Sequence, residues 1–355
     1  MLESVENRVL QNDFDSLANS SVPFDKLDGK TVLVTGATGL IGSQFIKSIV
    51  CYNRVNKTDI KVVAFARSEE KAKKVFGEIP NIELLIGDIN SKIEYSGNID
   101  YIIHGASATS SKYFVEHPVE TIYTAIDGTK NILEFAREKN VESFVYLSSL
   151  EVYGTPDGTK EKISENDYGY IDQLNVRSSY SEGKRMVECL CCSYASEYNV
   201  PVKIARLSQT FGAGVEYNDG RVFAEFARCA IEKRNIVLHT QGNTVRTYCY
   251  TTDAISALIY IALFGENGTA YNVTNPDTAC SIKEMAQLVC DTFPDSEIKV
   301  VIDIPENIAS FGYNPEMVIR LDSSRLEALG WKATVGIKEM FQRLVESMKS
   351  FTNLN

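Results

Sequence analysis

The chain has 355 residues and a formal net charge of -11 at pH 7. That length allows about two domains with a large core. The acidic balance argues against a nucleic-acid partner, although a few local arginines can still hold a small anionic ligand. The eight cysteines do not form two C-x-x-C units that could pair, and Cys189, Cys191 and Cys192 have apolar neighbours on one predicted helix. Only three histidines occur. We therefore expect no structural metal and no disulfide framework.

Residues 1–28 have the pattern of a short amphipathic arm with acidic residues near its start, which is not typical of a secretion signal. No apolar run in the sequence approaches the length of a membrane span. We therefore expect no membrane partner and a reducing, cytoplasmic location.

The most informative stretch is residues 31–42, T-V-L-V-T-G-A-T-G-L-I-G. Its apolar and β-branched start predicts a central parallel strand. The glycine spacing then predicts a sharp turn at Gly36, a close backbone approach at Gly39 and a closely packed helix at Gly42. Because the N-terminus of that helix offers unpaired N–H groups to phosphates, the stretch predicts a dinucleotide site. The residues predicted to bind the cofactor here are Gly36, Thr38, Gly39, Leu40, Ile41 and Gly42.

The second predicted strand, residues 60–66, ends next to Arg67. Sites that select NAD usually have an acidic residue at this point, where it binds the ribose 2′-hydroxyl. A guanidinium instead favours a 2′-phosphate, so NADP is slightly favoured over NAD. The alternative is that Arg67 only stacks on the adenine.

Further strands are predicted at residues 82–86, 101–103 and 144–147, with a helix over residues 118–138 before the last of them. This alternation predicts an α/β fold with a doubly wound parallel sheet, in which ligands bind at the carboxyl ends of the strands. Asp88 and Ile89 after one strand and Ala106 after the next are candidate cofactor contacts. His104 at a strand end is interpreted as a packed or capping residue in preference to a catalytic one.

Two clusters lie where this rule places chemistry. Ser149 follows the strand over residues 144–147, and Tyr180 and Lys184 open a helix with apolar residues at helical spacing. Since Tyr180 and Lys184 are four residues apart, they share one helix face, and we expect the lysine to favour the phenolate form of the tyrosine. A tyrosine with a lowered pKa can take a proton from a substrate hydroxyl.

These motifs resemble those of the extended short-chain dehydrogenases/reductases, specifically the nucleotide-sugar epimerase/dehydratase family, over residues 29–350. The resemblance rests on the glycine run, the Ser148-Ser149 pair, Tyr180 with Lys184, and the segment R-T-Y-C-Y-T-T-D at residues 246–253. It implies that Ser149 holds the reacting hydroxyl, that Tyr180 is the general base, and that Lys184 bonds the nicotinamide ribose.

The resemblance also implies a nucleotide-diphosphate sugar as substrate, bound by the distal half of the chain. Gln209 lies in the segment that resembles the family's substrate-entry segment, where Asn is usual, and Arg246 resembles the arginine that pairs with the diphosphate. Arg221 and Arg320 are further candidates, each with an exposed surface charge as the alternative. Asp253 is expected to be the N-cap of a helix that runs to Phe264.

By the resemblance, the reaction starts with oxidation of a sugar hydroxyl, most often at C4. The fate of the keto intermediate then separates 4-epimerases, 4,6-dehydratases and decarboxylases. Glu151 is a candidate catalytic residue, because family dehydratases and decarboxylases often have this glutamate, and the alternative is that it anchors the loop. Leu150 departs from both classes, since one dehydratase group has Asp there and decarboxylases favour Ser. Ala125 replaces a common Asn that supports the catalytic helix.

We therefore predict an enzyme, an NAD(P)-dependent nucleotide-sugar epimerase/dehydratase that works as a homodimer through the helices over residues 118–138 and 180–198. The alternatives are a nucleotide-sugar decarboxylase, an NADPH-dependent reductase of a keto nucleotide sugar, and a cofactor-sensing binding protein. The expected domains are an extension over residues 1–28, a Rossmann domain over 29–205 to which 236–265 return, and a smaller α+β substrate domain over 206–235 and 266–355.

Overall fold

The structure is a computed structural model that describes residues 2–77, 79–107, 110–305 and 316–352. Within these ranges we find no helix that has both the length and the apolar character needed to cross a membrane. The helices are α1 Arg8–Ala18, α2 Leu40–Asn56, α3 Glu69–Phe76, α4 Ser111–Glu116, α5 Pro118–Lys139, α6 Ser179–Tyr198, α7 Val222–Glu232, α8 Thr251–Phe264, α9 Ile282–Thr292, α10 Ser324–Glu327 and α11 Ile337–Thr352.

The strands are β1 Thr31–Thr35, β2 Lys61–Ala66, β3 Ile82–Ile86, β4 Tyr101–His104, β5 Ser143–Ser149, β6 Val202–Leu207, β7 Gln209–Phe211, β8 Ile236–Leu238, β9 Val245–Tyr250, β10 Thr269–Val273, β11 Asn275–Ser281, β12 Val300–Ile302 and β13 Val318–Ile319. Seven of them form one sheet in the order β3, β2, β1, β4, β5, β6, β10. Every neighbouring pair in it is parallel. The predicted doubly wound parallel sheet is confirmed.

The two faces of this sheet are both covered by helices, and the alternation within β1 shows why the strand is apolar throughout. Val32 and Val34 belong to a core that includes residues of α1, α2 and α8, whereas Leu33 belongs to a second core with residues of α5 and α6. A strand that is buried on both faces has no polar side, as expected of a central parallel strand.

A second unit is built around β9, which pairs with β7, β11 and β13, while β8 pairs separately with β12. Its own core includes Phe211, Phe223, Tyr248 and Phe341. The strand pairings differ from the predicted boundaries in two places. Strands β8 and β9 lie outside the large sheet, whereas β10 is its edge strand beside β6. The division into a cofactor domain and a substrate domain remains a prediction.

The prediction that Asp253 caps α8 was wrong. The helix begins at Thr251, and Asp253 lies within its first turn. The buried Asp253 carboxylate accepts hydrogen bonds from the backbone N–H groups of Thr334 and Val335, at 3.0 Å each, and from the Thr334 hydroxyl at 2.7 Å. This carboxylate therefore stabilises a distant loop and not the start of its own helix.

The N-terminal arm is amphipathic, as predicted, and packs against α2, α8 and α11. Asp13, on α1, accepts hydrogen bonds from the Tyr250 hydroxyl at the end of β9 and from Arg343 on α11, the latter at 2.7 Å. The amide of Asn7 donates to Ser347 at 2.7 Å. The arm thus joins α2, the helix that follows the glycine run, to β9 and α11 of the second unit.

Candidate active site

The glycine loop between β1 and α2 has the geometry of a phosphate cradle. Gly36 has a φ of +66°, and a Cβ placed there would lie 2.6 Å from the Gly105 carbonyl oxygen. A Cβ at Gly42 would lie 2.4 Å from the Gly36 carbonyl oxygen. Gly39 is the N-cap of α2 and supplies no side chain to its first N–H groups. The loop therefore leaves a helix N-terminus open to an anion, which fits a dinucleotide pyrophosphate.

His104 is a buried structural residue that ties the glycine loop to the end of β4. Its Nδ1 lies 2.7 Å from the Thr35 hydroxyl oxygen and its Nε2 lies 3.1 Å from that of Thr129. The Thr35 oxygen also accepts hydrogen bonds from the backbone N–H groups of Gly105 and Ala106, each at 3.2 Å. Burial, with a smaller effect of nearby Lys184, lowers the pKa of His104 to about 3, so the ring is neutral at pH 7. This agrees with our interpretation of His104 as a packed residue.

The other predicted cofactor contacts lie at the same edge of the sheet. Arg67 follows β2 directly and is exposed, and Asp88 follows β3, where its carboxylate accepts a 3.0 Å hydrogen bond from the backbone of Asn90. Ile89 is buried, and its side chain contacts the site of a Cβ added at Gly128 on α5. These residues thus lie at the same edge of the sheet as the glycine loop, and their contact with a cofactor remains a prediction.

The structure brings Ser149, Tyr180 and Lys184 together at the carboxyl end of β5. Ser149 is the last residue of β5, and its hydroxyl oxygen, which accepts a 3.2 Å hydrogen bond from the backbone N–H of Glu151, lies next to the Tyr180 phenol. The ammonium of Lys184 lies 5.7 Å from the centre of the Tyr180 ring and donates a 2.7 Å hydrogen bond to the Leu147 carbonyl oxygen. Burial lowers the pKa of Lys184 to about 8. A hydroxyl, a phenol and an amine therefore lie close to one another, as a proton-transfer site requires.

The expected lowering of the Tyr180 pKa by Lys184 was wrong for this structure. Burial raises the pKa of the Tyr180 phenol well above its usual value, and the Glu151 carboxylate raises it further. The hydrogen bond from Ser149 and the positive charge of Arg177 oppose that rise. Helical spacing put the lysine on the right face, but it could not show that the ammonium binds a backbone carbonyl.

Glu151 lies beside Tyr180 and is held by three hydrogen bonds. The Arg177 guanidinium donates to both carboxylate oxygens, at 3.0 and 2.9 Å, and the Ser181 hydroxyl donates at 2.9 Å. The pair is half-buried. Both interpretations of Glu151, as a catalytic residue and as a loop anchor, are therefore compatible with its position.

Arg177 is a site residue that the sequence analysis missed. It lies in a short 3-10 segment, residues 176–178, directly before α6. Its spacing three residues before Tyr180 was the available signal, but an arginine in a polar loop is ordinarily a solvated charge. Only the fold shows that it meets Glu151, 26 residues earlier in the chain.

Two departures from the family pattern have clear structural surroundings. Leu150 is buried in an apolar cluster with Val152, Tyr153, Ile163, Ile319 and Leu321, so no hydroxyl or carboxyl is offered at that position. Ala125 on α5 faces α6, because a Cβ added at Gly183 on α6 would lie 3.5 Å from the Cβ of Ala125. The methyl group of Ala125 cannot supply the hydrogen bond that an asparagine would make there.

The predicted substrate residues have different surroundings. Arg246 lies on β9 and is half-buried, and within the described ranges we find it in no ion pair. Arg221, at the start of α7, instead binds Asp219 through its guanidinium. Arg320 is exposed beside β13, and its charge adds a small effect to the hydrogen bonds from Ser281 that mainly lower the pKa of Glu284. Of these arginines, Arg246 best combines partial burial with an available charge.

Gln209 begins β7, which pairs with β9 next to the carboxyl end of the large sheet. Its side-chain oxygen is buried and, among the described residues, has no hydrogen-bond partner. A buried acceptor without a partner costs free energy, so such an atom is a candidate for binding a donor on a ligand.

A group of three potential metal ligands, Glu3, Asp15 and Cys51, lies away from this site. Arg54 donates to Glu3 at 3.0 Å, to Asp15 at 2.6 Å and to the Cys51 sulfur at 3.3 Å. These side chains therefore form an ion-pair cluster around the guanidinium, which holds the N-terminal arm on α2.

Comparison with known proteins identifies the family. The sequence model of the NAD dependent epimerase/dehydratase family matches residues 32–274, more than half of the chain. The chain belongs to that family. The matched region includes the glycine loop, Ser149, Tyr180, Lys184 and Arg246, and the family depends on a nicotinamide dinucleotide. The glycine cradle described above fits that cofactor.

Individual relatives and structures agree with this assignment. The chain is 30% identical to UDP-glucuronic acid decarboxylase 6 of Arabidopsis thaliana, over 90% of this chain and 88% of the relative. UDP-glucose 4-epimerase of Thermotoga maritima, solved with UDP-glucose, superposes with a TM-score of 0.74 at 19% identity, over 91% of this chain and 99% of that one. RMD from Pseudomonas aeruginosa, complexed with NADPH, superposes with a TM-score of 0.71 at 21% identity, over 91% and 99% of the two chains. These structures share the fold.

Proposed function

We propose that this enzyme oxidises C4 of a nucleotide-diphosphate sugar, transforms the resulting ketone and then reduces it again. The observation that carries the proposal is the convergence of Ser149, Tyr180 and Lys184 at the carboxyl end of β5, on the edge of the sheet that also holds the glycine cradle. A nicotinamide dinucleotide held there by the glycine cradle would supply the redox chemistry, as the acceptor and later the donor of the C4 hydride.

The side chains have separate tasks in this scheme. Tyr180 takes the C4 hydroxyl proton as the C4–H bond breaks, and Ser149 holds the same hydroxyl in place. Lys184 bonds the nicotinamide ribose, while the Ser149 hydroxyl and the Arg177 charge oppose the rise in the pKa of Tyr180 that burial causes. Arg246 binds the diphosphate through two parallel hydrogen bonds, a geometry suited to a guanidinium. Gln209 accepts a hydrogen bond from the sugar.

Decarboxylation of a UDP-hexuronic acid is the outcome that the relatives favour, because the 30% identity to a UDP-glucuronic acid decarboxylase extends over most of both chains. Oxidation at C4 makes the C5 carboxylate that of a β-keto acid. The C5–C6 bond then breaks, carbon dioxide leaves, and the electron pair forms an enolate that takes a proton from water at C5. Return of the hydride to C4 and of the proton from Tyr180 completes the reaction without net use of the cofactor.

The alternatives are 4-epimerisation, 4,6-dehydration and net reduction of a keto sugar. Leu150 is the residue that keeps them open, since its buried apolar position lacks the serine that decarboxylases favour. Net reduction would consume NADPH stoichiometrically, whereas the proposed cycle would need no added cofactor once the enzyme is loaded. A cofactor-sensing binding protein would show no turnover in either case.

A panel experiment tests the proposal. The holoenzyme is incubated with UDP-glucuronate, UDP-glucose, UDP-N-acetylglucosamine, GDP-mannose, CDP-glucose and dTDP-glucose, with and without NADPH, and the products are identified by NMR. We expect UDP-glucuronate to give a UDP-pentose and carbon dioxide without NADPH. A hexose product from a neutral sugar would show that the enzyme is an epimerase or a dehydratase and not a decarboxylase. No product from any sugar would contradict the proposal.

We also propose that two copies of the chain associate through α5 and α6. On α5, the residues Val119, Ile122 and Tyr123 share one face at helical spacing, and Met186 is exposed on the neighbouring α6. Exposed apolar residues that are grouped in this way mark an association surface. Light scattering should give the mass of a dimer and Tyr123→Asp that of a monomer, whereas Val237→Asp, at an exposed residue of β8, should remain dimeric. A monomeric wild type would contradict this proposal.

A further inference from the structure

Arg177 connects Glu151 to the surroundings of Tyr180. Its two terminal nitrogens each donate to a different Glu151 oxygen, so the pair has the bidentate geometry of a strong charge-assisted interaction. Only 16% of the Arg177 side chain and 23% of the Glu151 side chain is exposed, so water screens this pair less than a surface ion pair.

The Arg177 guanidinium also packs against an aromatic ring that contacts Tyr180. It lies 5.1 Å from the centre of the Phe114 ring on α4. Tyr180 also contacts that ring, and its own ring is stacked on Phe114 at a centroid distance of 4.3 Å and an interplanar angle of 10°. Arg177 and Tyr180 therefore both contact the Phe114 ring, and Arg177 at the same time holds Glu151.

The charged and titratable groups around the Tyr180 phenol come from four elements. Lys184 lies on the same helix, and Tyr146 approaches from β5. Glu151 belongs to the 3-10 segment after β5, and Arg177 to the segment before α6. Glu151 raises the pKa of the Tyr180 phenol and Arg177 opposes that rise, because the two groups have opposite charges and are hydrogen-bonded to each other.

We infer that Arg177 is a positioning residue, which fixes Glu151 as a hydrogen-bonded carboxylate beside Tyr180 and balances its charge there. Glu151 then acts as an acceptor, able to hold a hydroxyl or a water near the sugar, and not as an acid that donates a proton. The inference rests on the proposed function, because it assigns Tyr180 the role of base.

The test is the pH dependence of a single turnover in the holoenzyme. UDP-glucuronate is mixed with enzyme loaded with oxidised cofactor, and the rate at which reduced nicotinamide appears is recorded against pH. In the variant Arg177→Gln, the Glu151 charge is unopposed, so we expect the apparent pKa of the base to rise by about one unit and the rate below it to fall about tenfold. The double variant E151Q/R177Q removes both charges, and its apparent pKa should return to within about 0.3 units of the wild type.

Two further variants separate charge from geometry. Arg177→Lys keeps the charge without the two-pronged contact, so its apparent pKa should stay near that of the wild type while its rate falls. Arg185→Gln removes a nearby arginine that binds the backbone oxygens of Val152 and Gly169, and it should leave the apparent pKa in place. An unchanged profile for Arg177→Gln, or a double variant with the same shift as Arg177→Gln, would overturn the inference.

Failure of the proposed function would look different. If no nucleotide sugar reduces the cofactor of the wild type, the inference is tested by an ultraviolet titration of the cofactor-loaded protein, in which subtraction of the Tyr180→Phe spectrum isolates the Tyr180 phenolate. Arg177→Gln should move that titration to higher pH by about one unit. An unmoved titration would overturn the inference independently of turnover.

Discussion

The glycine loop and the β9 sheet carry the residues proposed to bind the cofactor and the substrate, and they would shape those sites in different ways. In the loop, backbone atoms shape the site, since Gly36 and Gly42 leave no room for a Cβ. On β9 and β7, the proposed substrate site relies on side chains such as Arg246 and Gln209, whose charge or acceptor atom has no counterpart among the described residues.

This difference explains why substrate specificity can vary within the fold more readily than dinucleotide binding. A backbone cradle accepts any pyrophosphate and tolerates few substitutions, so the dinucleotide site can be recognised from short spacing. A site made of side chains can change its ligand with one substitution, and Gln209, where the family resemblance implies an Asn, is a candidate position for such a change. The predictions below perturb each region and the arm that joins them.

The largest effect is expected from Gly36→Ala. The added Cβ would strike the Gly105 carbonyl, and the left-handed φ would add strain of about 1–3 kcal/mol, so cofactor affinity should fall by more than about a hundredfold. Calorimetric titration with NAD measures this. Gly29→Ala is the matched control, because Gly29 has a φ of +73° with nothing within 4 Å of its added Cβ. Equal losses of affinity in both variants would show that crowding is irrelevant.

Arg246→Ala is the corresponding change on β9. Loss of a bidentate contact with a diphosphate should weaken binding of UDP by about a hundredfold and leave cofactor affinity unchanged. The control Arg320→Ala removes an exposed arginine on the neighbouring segment, and it should change UDP affinity by less than about threefold. An Arg246→Ala protein that binds UDP normally would remove this residue from the substrate site.

The arm that joins the two regions should show a pH-dependent contribution to stability. Burial raises the pKa of Asp13 to about 6, although hydrogen bonds from Tyr250 and the charge of Arg343 oppose the rise. Because this folded-state pKa exceeds the unfolded value, the contribution of Asp13 is complete below about pH 4 and is lost as the pH rises through 6. The free energy of unfolding of the wild type relative to Asp13→Asn should therefore fall by about 2 kcal/mol between pH 4 and 7.

Asp15 on the same helix provides the control for that measurement. Burial raises the pKa of its carboxyl, but the hydrogen bonds from Arg54, Cys51 and Gln11 together outweigh burial, and the net shift is downward. Asp15→Asn should therefore show the opposite dependence, with a wild-type advantage that is present at neutral pH and is lost on acidification. Parallel curves for the two variants in urea unfolding would contradict the assigned environments.

The smallest effect is expected at Arg67, which is exposed. If its guanidinium binds a 2′-phosphate, Arg67→Ala should reduce the affinity for NADP by about tenfold and leave the affinity for NAD within about twofold. A variant that weakens both cofactors equally would support stacking on the adenine instead, and one that weakens neither would place Arg67 outside the cofactor site.

Local sequence predicted the cofactor half well, because its elements depend on short-range patterns. The strand at residues 82–86 and the helix that starts at Pro118 are confirmed, and the structure brings Ser149, Tyr180 and Lys184 together as expected. In each case an apolar run or a helical period, readable within about twenty residues, determines where a side chain lies.

The remaining features depend on contacts between distant segments. The role of Asp253 is set by residues about eighty positions later, and the place of β10 is set by its pairing with β6. The pair of Glu151 and Arg177 is likewise formed only when the loop before α6 folds over β5. Since no local period encodes such contacts, sequence patterns alone could not reveal them.

The most direct test of the central claim, transient oxidation at C4, uses UDP-glucuronate that carries deuterium at C4. The holoenzyme is quenched with acid during the first turnover, and its nicotinamide is analysed by mass spectrometry. The account predicts reduced nicotinamide that contains one deuterium in the wild type and none in Tyr180→Phe, with cofactor still bound to both. A product that forms while the nicotinamide never acquires deuterium would contradict the account.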